Sequence, residues 1–319
     1  MKYVKFESFD KTQLQCYLWD EVSSPKGVVQ IVHGMAEHAR RYDDFAKYLN
    51  KNGFIVFADD HRAHGDTETK DTIGYHDGDI YLDSVKDEIA ITKYLKETYK
   101  LPVVLLGHSY GSFIGQRYME IANESCGIIL CGSAYMKGAL YSVGAFVANI
   151  VTALRGKKRA AKMLDSLSFG NYNKPFEKEM PSFGWLSRDK EQVDKYIADE
   201  QCGIVMSNAF FKYFLNGVKK VYKKKNFKGI DLAKPVALFA GDKDPVGAQG
   251  KLVMKLSKIQ KARHRKRFHK TLSRRKTRNF ERNEQRGSLG GFPCENRGVR
   301  RCGEIVLTLT FAIKFKEYL

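Results

Sequence analysis

Apolar residues fall along this chain in short β-branched runs separated by longer stretches of helical period. The runs are Val28 to Val32, Phe54 to Ala58, Val103 to Leu106, Ile128 to Cys131 and Val236 to Ala240. Each is apolar on both faces and bounded by Gly or Asp, which predicts parallel strands covered by helices on both sides. The expected fold class is therefore α/β, with a mostly parallel central sheet. Between Tyr135 and about Lys228 the rhythm stops and the pattern turns helical and irregular. An insertion at the carboxyl edge of such a sheet lies over the site as a cap or lid. The expected organisation is a core over 1–134, a helical cap over 135–228 and a second core part over 229–262.

Inside the insertion Leu140, Val143, Val147, Ile150, Val151 and Leu154 recur at helical spacing, followed by Lys157-Lys158-Arg159. The expectation is that this stripe packs on the body of the protein and the basic cluster is solvated. The alternative is contact of the cluster with acidic headgroups at a membrane surface.

A chain of 319 residues with 43% hydrophobic composition buries a substantial core, which excludes global disorder. No apolar run approaches the ~20 residues of a membrane-spanning helix, and charges stand at Lys2, Lys5 and Glu7, where a signal peptide is apolar. The chain is expected to be cytoplasmic. Its six cysteines (Cys16, Cys126, Cys131, Cys202, Cys294, Cys302) have no zinc-site or disulfide-framework spacing and are expected to be reduced.

The net charge of +19 suggests an anionic partner until its distribution is examined. Residues 1–262 carry 39 Lys+Arg against 31 Asp+Glu, whereas 263–319 carry 16 against 5 and no Asp. Two kinds of sequence meet near Ala262.

Directly after the run Val103 to Leu106 stands Gly107-His108-Ser109-Tyr110-Gly111-Ser112, and then a helical segment from Phe113. This is G-x-S-x-G between a strand and a helix, where small residues allow a strained turn that presents the Ser109 hydroxyl as a nucleophile. A serine hydroxyl needs a base for its proton and donors for the oxyanion it generates. Val28 to Val32 runs into His33-Gly34-Met35-Ala36-Glu37-His38, and the backbone amides of Met35 and Tyr110 are the candidate oxyanion donors. His33 and His38 precede the nucleophile and are expected only to shape their loop by hydrogen bonding. The acid follows a late strand, in Gly241-Asp242-Lys243-Asp244-Pro245-Val246-Gly247. Either aspartate is eligible; Asp244 is favoured because it lies deeper in the loop, with Asp242 expected to cap the turn.

At this point the chain resembles the monoacylglycerol lipase and lysophospholipase branch of the α/β-hydrolases, serine hydrolases related to the S33 peptidases. The likeness lies in V-V-Q-I-V-H-G-M-A-E-H-A-R-R-Y (28–42), D-H-R-A-H-G (60–65), G-H-S-Y-G-S (107–112), W-L-S-R-D (185–189) with V-D-K-Y-I-A-D-E-Q-C-G (193–203), and G-D-K-D-P-V-G (241–247). The resemblance implies an α/β-hydrolase fold, Ser109 as nucleophile, Asp244 as triad acid, Met35 and Tyr110 as oxyanion donors, and a helical cap over an acyl pocket. It implies no metal and no organic cofactor. Ala63 stands where the family usually has Gly, and Ser112 where it often has a second Gly.

A larger departure concerns the histidine, which the family places about thirty residues after the acid in a stretch like Y-x-G-x-R-H-E-I-L-N-E. After Asp244 the only histidines are His264 and His269, inside a basic run; His269 is the fallback base. Codons for Thr277 to Leu289 can be chosen so that the reading frame one base later spells H-E-I-L-N-E-M-N-R-E-E-V. The stretch 263–319 accordingly reads as an out-of-frame, non-native tail, which also accounts for its arginines. Within it, Ile305 to Phe311 has strand propensity suited to a sheet edge.

The function expected is hydrolysis of a fatty-acyl ester of a single-chain lipid, a monoacylglycerol or lysophospholipid, with this chain inactive for want of its histidine. The alternatives are an aminopeptidase or small-ester esterase on the same machinery, or an anion- or membrane-binding protein using the basic tail. A nucleic-acid partner is not expected, and any membrane contact is expected to be transient and through the cap.

Overall fold

The computed structural model describes residues 1–261, apart from 123, 224 and 232, together with 297–314. In chain order the elements are β1 (Lys2–Glu7), β2 (Gln13–Trp19), β3 (Gly27–Val32), α1 (Asp43–Lys51), β4 (Phe54–Asp59), α2 (Ile80–Tyr99), β5 (Val103–His108), α3 (Tyr110–Ile121) and β6 (Gly127–Cys131). Four helices follow, α4 (Ala139–Arg155), α5 (Lys162–Phe169), α6 (Lys190–Ala198) and α7 (Asn208–Val221), and then β7 (Val236–Phe239), α8 (Lys251–Lys261) and α9 (Arg297–Lys314).

The seven strands form one sheet in the order β1-β2-β4-β3-β5-β6-β7, in which β3 to β7 pair in parallel and β1 and β2 are antiparallel additions at one edge. All five expected strands are present. The edge hairpin was not anticipated, because β1 intersperses charged residues (Lys2, Lys5, Glu7) among Tyr3, Val4 and Phe6 rather than forming a continuous apolar run. β3 and β4 are buried along their whole length, and β5 up to its last residue His108, because helices cover both faces. Val29 and Ile31 of β3 face the core closed by Phe45 and Leu49 of α1, while Val28 faces that closed by Ile91 and Leu95 of α2. Gln30, between them, is kept in the core by Glu88 and Thr92, to which its amide donates at 2.6 Å and from which it accepts at 2.6 Å.

Two expectations are corrected. Ile305 to Phe311 lies inside helix α9, not on a strand. Ile305, Val306 and Leu309 share one helical face and are buried against β5, β6 and β7, so the need to cover an open sheet face overrides local β propensity. In α4 the stripe does not simply pack on the body. The buried face is Ala145, Ala148, Val151 and Thr152, whereas Leu140, Val143, Ile150 and Leu154 point outward with Phe146, Leu140 and Leu154 about four-fifths exposed (77% and 81%). Among the described residues no helix is long and apolar enough to cross a membrane. Cys16, Cys126, Cys131, Cys202 and Cys302 form no disulfide among the described residues; Cys294, like His264 and His269, lies outside the described residues.

Candidate active site

Strand β5 ends at His108 and helix α3 starts at Tyr110, leaving Ser109 alone in the bend with φ +49° and ψ −114°. A non-glycine residue here costs on the order of 1–2 kcal/mol and persists only where its surroundings over-determine it. They do so: the Ser109 amide donates to the Cys131 carbonyl (2.9 Å), while its own carbonyl accepts from the Ser112 amide (2.9 Å) and hydroxyl (2.6 Å). Ser112 thus tightens the first turn of α3 with its hydroxyl. Gly111 permits the approach of α3 to β3, since a Cβ there would lie 2.6 Å from the His33 carbonyl oxygen and closer still to that of Val32. Ser109 is partly exposed, and among the described residues its hydroxyl has no hydrogen-bond partner.

The loop after β3 crosses directly beside it. A Cβ on Gly34 would touch the Ser109 Cβ at 3.3 Å. The Met35 amide has no acceptor among the described residues, and the Tyr110 amide stands at the open N-terminus of α3, so both N–H groups belong to the same end of the sheet as Ser109. Several side chains fix this loop. His33 Nδ1 donates to the Gly34 carbonyl (2.7 Å) and its Nε2 accepts from the His61 amide (3.0 Å), a pattern that needs a neutral ring. Burial, with His61 stacked 3.8 Å away, holds the His33 pKa well below its usual value. His38 donates to Asp199 (2.8 Å). Both histidines therefore shape the loop, as expected of them.

Sequence reasoning missed Glu37. Its carboxylate accepts from the Gly34 amide (2.5 Å) and the Tyr42 hydroxyl (3.0 Å), pairs with Arg41, and lies 3.3 Å from His108 Nδ1. Burial alone would raise its pKa; Arg41 and His108 outweigh that and hold it well below the ordinary range. The only local signal was an acid three residues after Gly34, a spacing that does not announce its four partners.

The β7–α8 turn brings Asp244 to this end of the sheet, with Gly247 3.7 Å by its would-be Cβ from the Ser133 carbonyl, next to β6. One expectation about the turn is reversed: Asp244 caps it, accepting from the Val246 amide (2.8 Å), while Asp242 reaches out to Arg188 (2.5 Å). Burial raises the Asp244 pKa, partly offset by the Val246 amide and by His108. The structure thus brings Ser109, Met35, Tyr110 and Asp244 together at one edge. No described histidine hydrogen-bonds either Ser109 or Asp244.

Comparison with known proteins agrees with this geometry. A family described as serine aminopeptidase, S33, matches residues 23–276. The chain belongs to this family. Human monoglyceride lipase is 30% identical over 218 residues, 66% of this chain and 64% of that protein. The monoacylglycerol lipase of Mycolicibacterium smegmatis is 34% identical over 121 residues, 37% of this chain and 41% of that one. A thermostable carboxyl esterase from Bacillus coagulans, solved with glycerol, superposes with a TM-score of 0.76 at 26% identity, over 85% of this chain and 89% of that one. The α/β-hydrolase fold is shared; the chain spans about two-thirds or less of the curated relatives' length.

Proposed function

We propose that this chain carries the machinery of a serine ester hydrolase for single-chain lipid esters, and that it lacks the general base as it stands. The observation that supports this reading is Ser109 on a bend of positive φ beside two backbone amides that have no acceptor among the described residues. In the complete reaction Ser109 attacks the acyl carbonyl, the Met35 and Tyr110 amides hold the oxyanion, and a histidine oriented by Asp244 takes the serine proton and gives it to the oxygen of the departing alcohol as the ester bond breaks. Water then releases the fatty acid from the acyl-enzyme. Monoglyceride lipase relatives support a monoacylglycerol as substrate over an amino-acyl amide. That histidine is assigned to the frame one base away, in the codons of Thr277 to Leu289.

The exposed face of α4 supports transient docking of the insertion on a lipid surface. Leu140, Val143, Phe146, Ile150 and Leu154 lie beside exposed Arg155, Lys157, Lys158 and Arg159.

The test has two arms. The chain as it stands should hydrolyse p-nitrophenyl butyrate no faster than its Ser109→Ala variant, both retaining the roughly 10³–10⁴-fold advantage over water that oxyanion donors and binding supply in serine proteases stripped of triad members. Sequencing through the Ala262 codon should reveal a one-base slip. The frame-restored protein should then react with a fluorophosphonate at Ser109 and prefer monoacylglycerols to lysophospholipids and amino-acyl amides. A clear Ser109-dependent rate in the present chain, or an uninterrupted frame, overturns the loss of the base. A frame-restored protein inert to the probe overturns the hydrolase reading.

A further inference from the structure

The segment 193–203 makes no hydrogen bond to Ser109 or Asp244 among the described residues, yet it is bolted to the loop that carries Met35. The Ala36 carbonyl, next along the chain from Met35, accepts two hydrogen bonds from this segment: the Tyr196 hydroxyl of α6 at 2.9 Å and the Gly203 amide at 2.9 Å. Ala36 itself has φ +54°, a left-handed conformation that a non-glycine residue holds only under external constraint. Tyr196 is buried, with the Arg41 guanidinium 4.8 Å over its ring and Phe183 at 5.0 Å. Gly203 has φ +67°, and a Cβ there would press on the Phe183 ring at 3.1 Å. Arg40 adds a bond to Gln201 (2.7 Å), and Gln201 one to Asp66 (2.8 Å).

The Met35 amide is therefore bracketed. On its upstream side Glu37 holds the Gly34 amide and His33 holds the Gly34 carbonyl, which belongs to the same peptide plane as the Met35 N–H. On its downstream side the only hydrogen bonds to the Ala36 carbonyl among the described residues come from Tyr196 and Gly203, 160 and more positions later. Releasing one of them frees a strained residue to relax toward right-handed φ, which rotates the peptide joining Met35 to Ala36 and, through the Met35 Cα, shifts the plane that carries the Met35 N–H.

We propose that Tyr196 is a positioning residue: its hydroxyl, together with the Gly203 amide, locks Ala36 in its left-handed conformation and thereby aims the Met35 N–H at the carbonyl attacked beside Ser109. This rests on the assignment of Met35 as an oxyanion donor. It also makes the insertion a part of the oxyanion site rather than only its cover.

The experiment compares Tyr196→Phe with Tyr118→Phe in the full chain. The first removes only the hydroxyl and keeps the ring under Arg41. The second removes a buried hydroxyl that bonds Thr92 and Ser125 near the C-terminal end of α3, away from Ser109. Hydrolysis of p-nitrophenyl butyrate above buffer reads the oxyanion donors even without the base. Tyr196→Phe should lower kcat roughly tenfold, less than outright removal of a donor costs, with KM unchanged. Tyr118→Phe should lower Tm and leave kcat alone. The proposal is overturned if Tyr196→Phe keeps the parent kcat, if KM rises instead, or if Tyr118→Phe loses kcat to the same extent. A parent chain no faster than buffer removes the oxyanion assignment and the proposal with it.

Discussion

Replacing Gly111 by Ala tests the bend at its tightest point. The added methyl would stand 2.6 Å from the His33 carbonyl oxygen, and nearer still to that of Val32, where ordinary carbon–oxygen contact is about 3.3 Å. Both obstacles are main-chain atoms of β3 and its loop, and β3 is paired on both sides by β4 and β5. The strand cannot yield, so the first turn of α3 must retreat by about 0.7 Å or more, carrying the Tyr110 amide and the Ser109 hydroxyl with it. Overpacking of this kind costs about 1–3 kcal/mol, and a displacement near 1 Å from productive geometry costs about a hundredfold in rate. Gly111→Ala should therefore unfold some 3–10 °C below the parent at the usual sensitivity for a domain of this size, and lose at least tenfold of its p-nitrophenyl butyrate hydrolysis above buffer. Gly144→Ala provides the contrast: its methyl in α4 meets only Leu215 at 3.9 Å, and helix propensity favours Ala. Thermal unfolding and initial rates on the two variants decide the matter. Gly111→Ala with parental Tm and rate would refute the packing argument for the bend.

Asp244→Asn should stabilise the fold at neutral pH while leaving the Val246 cap bond in place, because burial raises the Asp244 pKa above its usual 3.8. The folded form then binds the proton more tightly than the unfolded one, so parent stability falls as pH rises through the folded pKa; the two urea midpoints should converge below about pH 4 and separate above it. Glu37→Gln removes a carboxylate whose pKa is held down, so it should cost about 3 kcal/mol at pH 7 and less as acid protonates the parent Glu37, a difference read by urea denaturation at pH 7 and in acid. Lys157→Glu with Lys158→Glu should weaken flotation with phosphatidylserine vesicles by about tenfold or more, at roughly 1 kcal/mol for each lysine at the surface, and leave binding to neutral phosphatidylcholine vesicles unchanged. Equal flotation on the two lipids would remove the electrostatic part of the docking.

The five parallel strands were legible because strands covered on both faces are written as unbroken apolar runs, and Ser109 because a strand, two glycines and a helix must flank a bend of that kind. The edge hairpin was not, since its mixture of Lys, Val and Phe is shared with many exposed segments. The turn at 241–247 follows the late strand as the sequence indicates, but the capping role expected of Asp242 falls to Asp244. Proximity to Arg188, more than fifty residues away, draws Asp242 outward and leaves Asp244 to cap the turn. The outward face of α4 was misjudged for a related reason, because periodicity marks a stripe without saying whether anything covers it.

The local sequence determined what local physics governs: which segments form the parallel strands, and where the chain must bend at residue 109. Tertiary structure alone decided what depends on segments distant in the chain. Glu37 meets His108 across 71 positions, Ile305 and Val306 cover a sheet face from within a helix, and Tyr196 grips the Ala36 carbonyl across 160 positions. Such contacts arise only when the folded core has set the distances, and no spacing along the chain encodes them.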